Sequence, residues 1–375
     1  VKSLLGKFQT EKTSLVNFKS EKMLKISSPN QSELAKLRSA IHKKTDTYEA
    51  DLTPSMRFTI DNNLYCMVEI SGESEPAERV DLLFKGPKIK SIPSDSFKPK
   101  LKILSIDIEA SHVNNELFCV GMYSENYKKN LALSDKKVEG AINCKTEAEL
   151  MSKLKDEIIA FDPDIITGWN LIDFDLVYLK KKFEENNISF DIGRTNESAK
   201  LRIEENFFRS SSAQVPGRQV LDGLNLIRDP FIQEAPSIKS KNFENYTLES
   251  VSQEILGDGK LIKGKGRHEE IEKLWKADKK KVVDYNLQDC KLAYEIIEKT
   301  KIIDLVVERT CLTGIPMNKL TASIIAFDSL YIREARKRGL VSPTTLFADK
   351  EERIKGGYVM ESKPGIYDSV LVLDF

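Results

Sequence analysis

The sequence predicts an α/β (α+β) protein with a mixed sheet, preceded by a smaller β-rich amino-terminal unit. Three observations predict it: a strand meander that begins at Leu101, an alternation of short strands and helices after it, and a Pro-, Lys- and Ser-rich break just before it. With 375 residues, 40% of them hydrophobic, the chain is long enough for two cores, and 31% charged residues mark a globular rather than a disordered chain.

The elements follow in chain order. Within residues 1–100, Met56-Arg-Phe-Thr-Ile60 and Leu64-Tyr-Cys-Met-Val-Glu-Ile70 read as two strands, with Asp61-Asn62-Asn63 as the turn between them. Pro87, Pro93 and Pro99, set among Lys and Ser, read as a linker. Leu101-Lys-Ile-Leu-Ser-Ile-Asp-Ile-Glu109 is then a buried strand, Leu117–Tyr123 a second and Asn130–Leu133 a third. Thr146, with Glu149 three positions on, starts a helix that reaches about Ala160. Asp164-Ile-Ile-Thr-Gly-Trp-Asn170 is a short strand running into a loop, Phe174 to Asn186 a helix, and Arg218–Asp222 another short strand. Helices start again at Thr247 and Lys279. Beyond Thr313-Gly-Ile-Pro-Met317 the pattern is helical from about Lys319 to Arg338. The end, Gly356-Gly-Tyr-Val-Met360 and then Ser369-Val-Leu-Val-Leu-Asp-Phe375, reads as strand, and stopping inside that apolar run predicts a fragment.

Composition removes several classes. Formal net charge is zero, from 58 basic and 58 acidic residues, which does not favour a sequence-independent DNA binder but leaves room for a local basic groove. The basic clusters Lys279-Lys280-Lys281 and Arg333, Arg336, Lys337 and Arg338 read by default as solvated helix faces. Five scattered cysteines with no C-x-x-C pair predict reduced thiols, with neither disulfide nor zinc. No apolar run reaches membrane-spanning length and the first residues lack a signal peptide's apolar core, so a cytoplasmic protein with no membrane partner is expected. Three histidines and no H-E-x-x-H argue against a zinc hydrolase, and neither a P-loop nor a G-x-S-x-G elbow is present.

Three segments carry acidic residues in unusual places. On the first strand, Ile103, Ser105, Asp107 and Glu109 share one face, so two carboxylates stand about 7 Å apart on an otherwise apolar strand. Buried and unpaired they would be costly; they need a cation or an open strand end, the alternative being an edge strand with a solvated face. Val282, Tyr285, Asp289, Leu292 and Ile296 form one helical stripe, which sets a carboxylate and a phenol amid apolar neighbours. A core tyrosine beside a boundary aspartate is the alternative there. The loop Gly168-Trp-Asn-Leu-Ile-Asp-Phe-Asp175 follows a strand and opens a helix, so Asp175 lies where α/β sheets hold ligands, or else serves as a helix cap. Carboxylate-only donors favour hard ions such as Mg2+ or Mn2+.

Together these segments resemble the three exonuclease motifs of the family B DNA polymerases: D-I-E at Asp107-Ile108-Glu109, N-x-x-x-F-D from Asn170 to Phe174-Asp175, and Y-x-x-x-D from Tyr285 to Asp289. Each motif alone is weak; their order and separation make the set specific. Asp162-Pro-Asp-Ile-Ile-Thr-Gly-Trp-Asn170, Gly356-Gly-Tyr-Val-Met360 and Asp368–Phe375 add a likeness to the bacterial polymerase II branch. The resemblance runs from about residue 100 to the end.

It implies a ribonuclease H-like exonuclease domain over residues 101–311 and an amino-terminal domain over 1–100 completed by 312–375. Asp374-Phe375 would open the first polymerase motif, so palm, fingers and thumb are absent and no DNA synthesis is expected. The implied activity is 3′–5′ proofreading, with Asp107, Glu109, Asp175 and Asp289 holding two Mg2+ or Mn2+ ions. Tyr285 would orient the attacking water or the phosphate, since a phenol with a reference pKa of about 10 is a poor general base. Asn170 and Phe174 would position the strand end. Tyr358 would contact template, a tight turn beside a strand being the alternative there. The implied partners are single-stranded DNA and primer–template DNA, with a replication clamp reached through parts outside this chain. A bacterial cytosol or nucleoid is the implied location. Three alternatives stay open: a non-catalytic DNA-binding module, a ribonuclease H-like nuclease acting on RNA, and a purely structural platform for polymerase partners.

Overall fold

The computed structural model describes residues 2–93, 99–204, 211–259, 267–319, 323–345 and 364–371. The chain divides into one unit of Val1–Pro54 with Ala335–Phe375 and another of Ser55–Glu334. In the first, helix α1 (Lys2–Leu5) precedes an antiparallel ribbon of β1 (Gln9–Val16) and β2 (Lys22–Ser27), and α2 (Gln31–Ile41) follows, capped by Asn30. The far end of the chain returns to this unit: Leu340 bridges Val16, Pro343 bridges Tyr48, and the buried Glu49 carboxylate accepts from Arg336 and from the Ser342 N–H. Residues 364–371 form no strand, and Ile366, Val370 and Leu371 are exposed, so the expected strand from Ser369 is not made over its described part. A lone apolar run has no ladder partner to hold it extended.

Helix α3 (Pro54–Asp61), all but its first residue in the second unit, stands where alternation predicted a strand. A short apolar run fits both periods. Pro54 decides it, because proline at the first helical position has φ preset and no N–H to leave unpaired. Asn63 turns in the left-handed region (φ 49°) and the Leu64 N–H closes onto the Thr59 carbonyl, so the turn falls where it was expected. Two ribbons follow, β3 (Val68–Ser71) with β6 (Lys88–Ser91) and, between them in sequence, β4 (Ser74–Ala77) with β5 (Val80–Phe84). The segment read as linker from Pro87 is therefore strand as far as Ser91.

The main sheet takes β7 (Ile103–Ala110), β8 (Leu117–Ser124), β9 (Tyr127–Leu133), β10 (Ile142–Cys144) and β11 (Ile165–Thr167). After a separate ribbon of β12 (Lys200–Arg202) and β13 (Ser212–Gln214), β14 (Gln219–Val220) completes it. Strand order is β10-β9-β8-β7-β11-β14. The β7-β8-β9 meander is antiparallel and the other three pairings are parallel, so the sheet is mixed as predicted.

Helix α4 (Glu147–Phe161) starts where predicted, with the Thr146 side chain accepting from the Glu149 N–H. It packs with α5 (Leu176–Glu185) on one sheet face, where Leu104, Ile106 and Ile108 of β7 meet Leu150, Leu154 and Phe183. The short helices α6 (Gly223–Arg228), α7 (Pro230–Gln233) and α8 (Pro236–Lys239) lead to α9 (Leu248–Leu256), α10 (Arg267–Ala277) and α11 (Lys279–Thr300). Helix α11 covers the opposite face, burying Val282, Tyr285, Leu292 and Ile296. Helices α12 (Ile302–Thr313) and α13 (Ser323–Lys337) end the described fold.

Two expectations about charge and sulfur are corrected here. Arg333 is 3% exposed and donates to the Thr59 and Leu64 carbonyls; Arg336 pairs with Glu49; and Lys279 donates to the Leu133 carbonyl. These three cations turn inward to satisfy acceptors, whereas Lys281, Lys337 and Arg338 of the same clusters are exposed, as expected. Cys66 and Cys311 form a disulfide across 245 residues of sequence, a proximity that local spacing does not encode. Cys119, Cys144 and Cys290 are free and buried.

Replacing the Thr146 cap tests the α4 start: Thr146→Ala should cost about 1 kcal/mol in urea unfolding, because one end-of-helix N–H loses its acceptor. Unchanged stability would mean that the hydroxyl contributes nothing to the helix start.

Candidate metal centre

Strand β7 lies inside the sheet, hydrogen-bonded to β8 on one side and β11 on the other. That double pairing fixes which of its side chains face α11. Asp107 and Glu109 are on that face, and α11 brings Asp289 to them, 2% exposed. One carboxylate oxygen from each of Asp107, Glu109 and Asp289 lies within 4.8 Å of the others. Carboxylates this close repel unless a cation or hydrogen-bond donors offset the charge.

Asp175 comes to β7 from the segment that follows β11. At Gly168 a Cβ would stand 2.4 Å from the Ile106 carbonyl oxygen, so only glycine lets β11 leave the sheet so close to β7. Asn170 adopts φ 61°, a left-handed turn that asparagine tolerates. Leu171–Asp175 then form a π turn, closed by the Leu176 N–H on the Leu171 carbonyl. Such turns are rare and tend to mark functional sites. The turn buries Asp175, whose Oδ1 accepts from the Ile108 N–H at 2.9 Å, between the two β7 carboxylates. Burial and the Asp107 charge push the Asp175 carboxyl well above the usual carboxylate range.

Of the residues singled out in the sequence, then, Asp107, Glu109 and Asp289 come together. Asp175 lies against the backbone between the first two, tied to it by a hydrogen bond. Phe174 is 45% exposed, next to Asp175. Tyr285 lies one turn before Asp289 with its ring enclosed among the buried residues Phe118, Trp275 and Val282. Tyr358 and Asp374-Phe375 lie outside the described residues.

Sequence reading passed over four residues that the structure brings into the site. Asn286 Nδ2 donates to Asp107 Oδ2 at 2.7 Å, and Asn130 Nδ2 donates to Asn286 Oδ1 at 2.6 Å. Gly121 pairs with Asp107 across the ladder. Asp222 accepts from the Ile172, Leu224 and Asn225 N–H groups, tying the π turn to the start of α6. Asn286 could have been noticed on the α11 stripe beside Tyr285; Asn130, Gly121 and Asp222 carry no local signal.

A divalent ion fits this donor set. The gathered donors are carboxylate oxygens, which suit hard cations. The nearby Cys119 and Cys290 thiols are pushed up by burial, then by the carboxylate charges, which keeps them protonated and poor ligands.

Residues 110–251 match the model of the DNA polymerase family B exonuclease domain. DNA polymerase II of Escherichia coli (strain K12) is 33% identical over 337 residues, covering 88% of this chain and 40% of that protein. A DNA polymerase of Archaeoglobus fulgidus is 29% identical over 345 residues, covering 91% of this chain and 40% of that protein. This chain thus spans about 40% of the length of these relatives. Among solved structures, the family B DNA polymerase from the hyperthermophilic archaeon Pyrobaculum calidifontis superposes with a TM-score of 0.67 at 19% identity, over 95% of this chain and 46% of that one. Among the described residues, no helix is long and apolar enough to cross a membrane.

Burial raises the Asp222 carboxyl to about 6, against three backbone N–H donors that hold it down. Raised in the folded state, it contributes stability that is fully present below about pH 4 and lost as pH rises through about 6. Wild type should therefore lose roughly 3 kcal/mol relative to the non-titrating Asp222→Asn between pH 4 and 7. Urea unfolding at both pH values checks this; parallel profiles for the two proteins would contradict it.

Proposed function

The chain carries the exonuclease domain of the family B DNA polymerases, and from that premise we propose that it removes nucleotides from the 3′ end of single-stranded DNA, as the proofreading part of a polymerase II-like enzyme. The observation that carries this reading is the meeting of Asp107, Glu109 and Asp289 from a central strand and a facing helix, with oxygens within 4.8 Å of one another. Asp175, held by the Ile108 N–H, is the fourth acidic group we assign to the site. We assign these four to two Mg2+ or Mn2+ ions. Bound there, the ions would supply a lowered pKa for water and charge stabilisation for the attacking and leaving oxygens.

The chain's own groups do the rest. Glycine at position 168 and the left-handed Asn170 shape the loop that carries Phe174 to the surface, where an exposed ring suits stacking against a terminal base. Tyr285, one turn from Asp289, is assigned the orientation of the water or the phosphate through its hydroxyl. Single-stranded DNA and primer–template DNA are the proposed partners, and a replication clamp is a further proposed one. The domain division at residues 100 and 311 remains a proposal; it is supported by a sheet and site that lie wholly between Ile103 and Thr300.

With a 5′-labelled single-stranded DNA and Mg2+ or Mn2+, wild type should give a ladder shortening from the 3′ end that chelator abolishes. Asp107→Ala should lose at least about 100-fold of that rate while keeping its far-UV circular dichroism and melting transition. A folded Asp107→Ala protein that still cleaves would remove the site assignment, and cleavage confined to a matched RNA would replace the substrate.

A further inference from the structure

We propose that Asn286 is a positioning residue for the metal centre, acting on Asp107 through a buried relay that Asn130 orients and Gly121 makes room for. The inference rests on the reading of Asp107, Glu109 and Asp289 as metal ligands.

The relay has one direction. An ionised carboxylate only accepts hydrogen bonds, so Asn286 must turn its amide NH2 toward Asp107 Oδ2, 2.7 Å away. Its Oδ1 then faces Asn130, which must in turn present its own NH2, at 2.6 Å. Asn286 and Asn130 are 0% and 1% exposed, so water offers neither amide a substitute partner. Buried amides are costly unless hydrogen-bonded, which makes the Asp107 contact the one that sets the whole series.

Gly121 explains how a side chain of α11 can reach across β8. It pairs directly with Asp107, and a Cβ there would stand 2.5 Å from Asn286 Oδ1 and 2.8 Å from Cys290 Sγ. Its φ lies outside the left-handed region, so the glycine is required for space and not for backbone conformation. A neutral amide also suits the task chemically. It fixes the plane of Asp107 without bringing a positive charge that would compete with a cation for the three carboxylates.

The test uses the full 375-residue chain, with Mn2+ as probe, read by titration calorimetry and by the metal dependence of DNA cleavage. Asn286→Ala and Gly121→Ala should each bind Mn2+ about 10- to 100-fold more weakly. Saturating Mn2+ should return cleavage to within a few-fold of wild type, which a general loss of structure would not allow. The Gly121→Ala/Asn286→Ala double variant should lose less than the sum of the two single losses, because Asn286, through which the added methyl acts on Asp107, is already gone, while Cys290 Sγ, 2.8 Å from that methyl, must shift whether or not Asn286 is present. Wild-type Mn2+ affinity in both single variants would overturn the proposal. So would additive losses in the double variant, or a cleavage defect that saturating Mn2+ does not restore. Should Asn286→Ala fail to fold, Gly121→Ala carries the test alone, since it displaces Asn286 without deleting it. Wild-type protein that binds no Mn2+ overturns the metal-centre reading itself, a pattern distinct from a defect confined to the variants.

Discussion

Three carboxylates held within 4.8 Å of one another repel, and much of the second unit is arranged to keep them together. Two of them share one face of β7 because side chains two apart on a strand must. The strand cannot slip to relieve the repulsion, since β8 and β11 pair with it on both edges. The third arrives on α11, whose 22 residues bury Val282, Leu292 and Ile296 against the sheet. Fully burying each such side chain contributes about 1.5–3 kcal/mol, so a few turns of apolar contact exceed the cost of one crowded carboxylate.

The opposite wall uses backbone geometry in place of packing. A glycine where a Cβ would strike the Ile106 carbonyl, a left-handed asparagine and a π turn bring Asp175 under Ile108. Asp222 then holds that turn by accepting from Ile172 while capping α6. Burial works against both aspartates as charged groups, yet each has backbone donors that no solvent fluctuation can remove. The loop is therefore fixed by groups that face inward, and Phe174 alone of its large side chains is left exposed.

How much of this was legible in the sequence follows from the range of each interaction. Five of the sheet's six strands, the α4 cap and the α11 stripe are encoded by periodicity and short spacing and are legible in the sequence, whereas the three-residue β10 is too short to show a period. Met56–Ile60 was misread because five residues do not separate a period of 2 from one of 3.6, and the proline that decides it precedes the run. The Cys66–Cys311 bond, the carbonyls that Arg333 satisfies and the Asn130–Asn286–Asp107 series join positions far apart in the chain. Composition says nothing about such pairs. The acidic residues were found for the opposite reason: a carboxylate in an apolar pattern is conspicuous locally, whatever its distant partners are.

The two faces of β7 also separate stability from chemistry. Leu104, Ile106 and Ile108 enter the core shared with α4 and α5, whereas Asp107 and Glu109 face α11. The strand is thus anchored by residues on the face away from the carboxylate cluster. The acidic side chains contribute little apolar burial and add mutual repulsion, so the fold can carry a crowded anionic site without depending on it. A neutral relay through Asn286 belongs to the same logic: it orients one carboxylate while leaving the negative potential of the group intact for a cation to occupy.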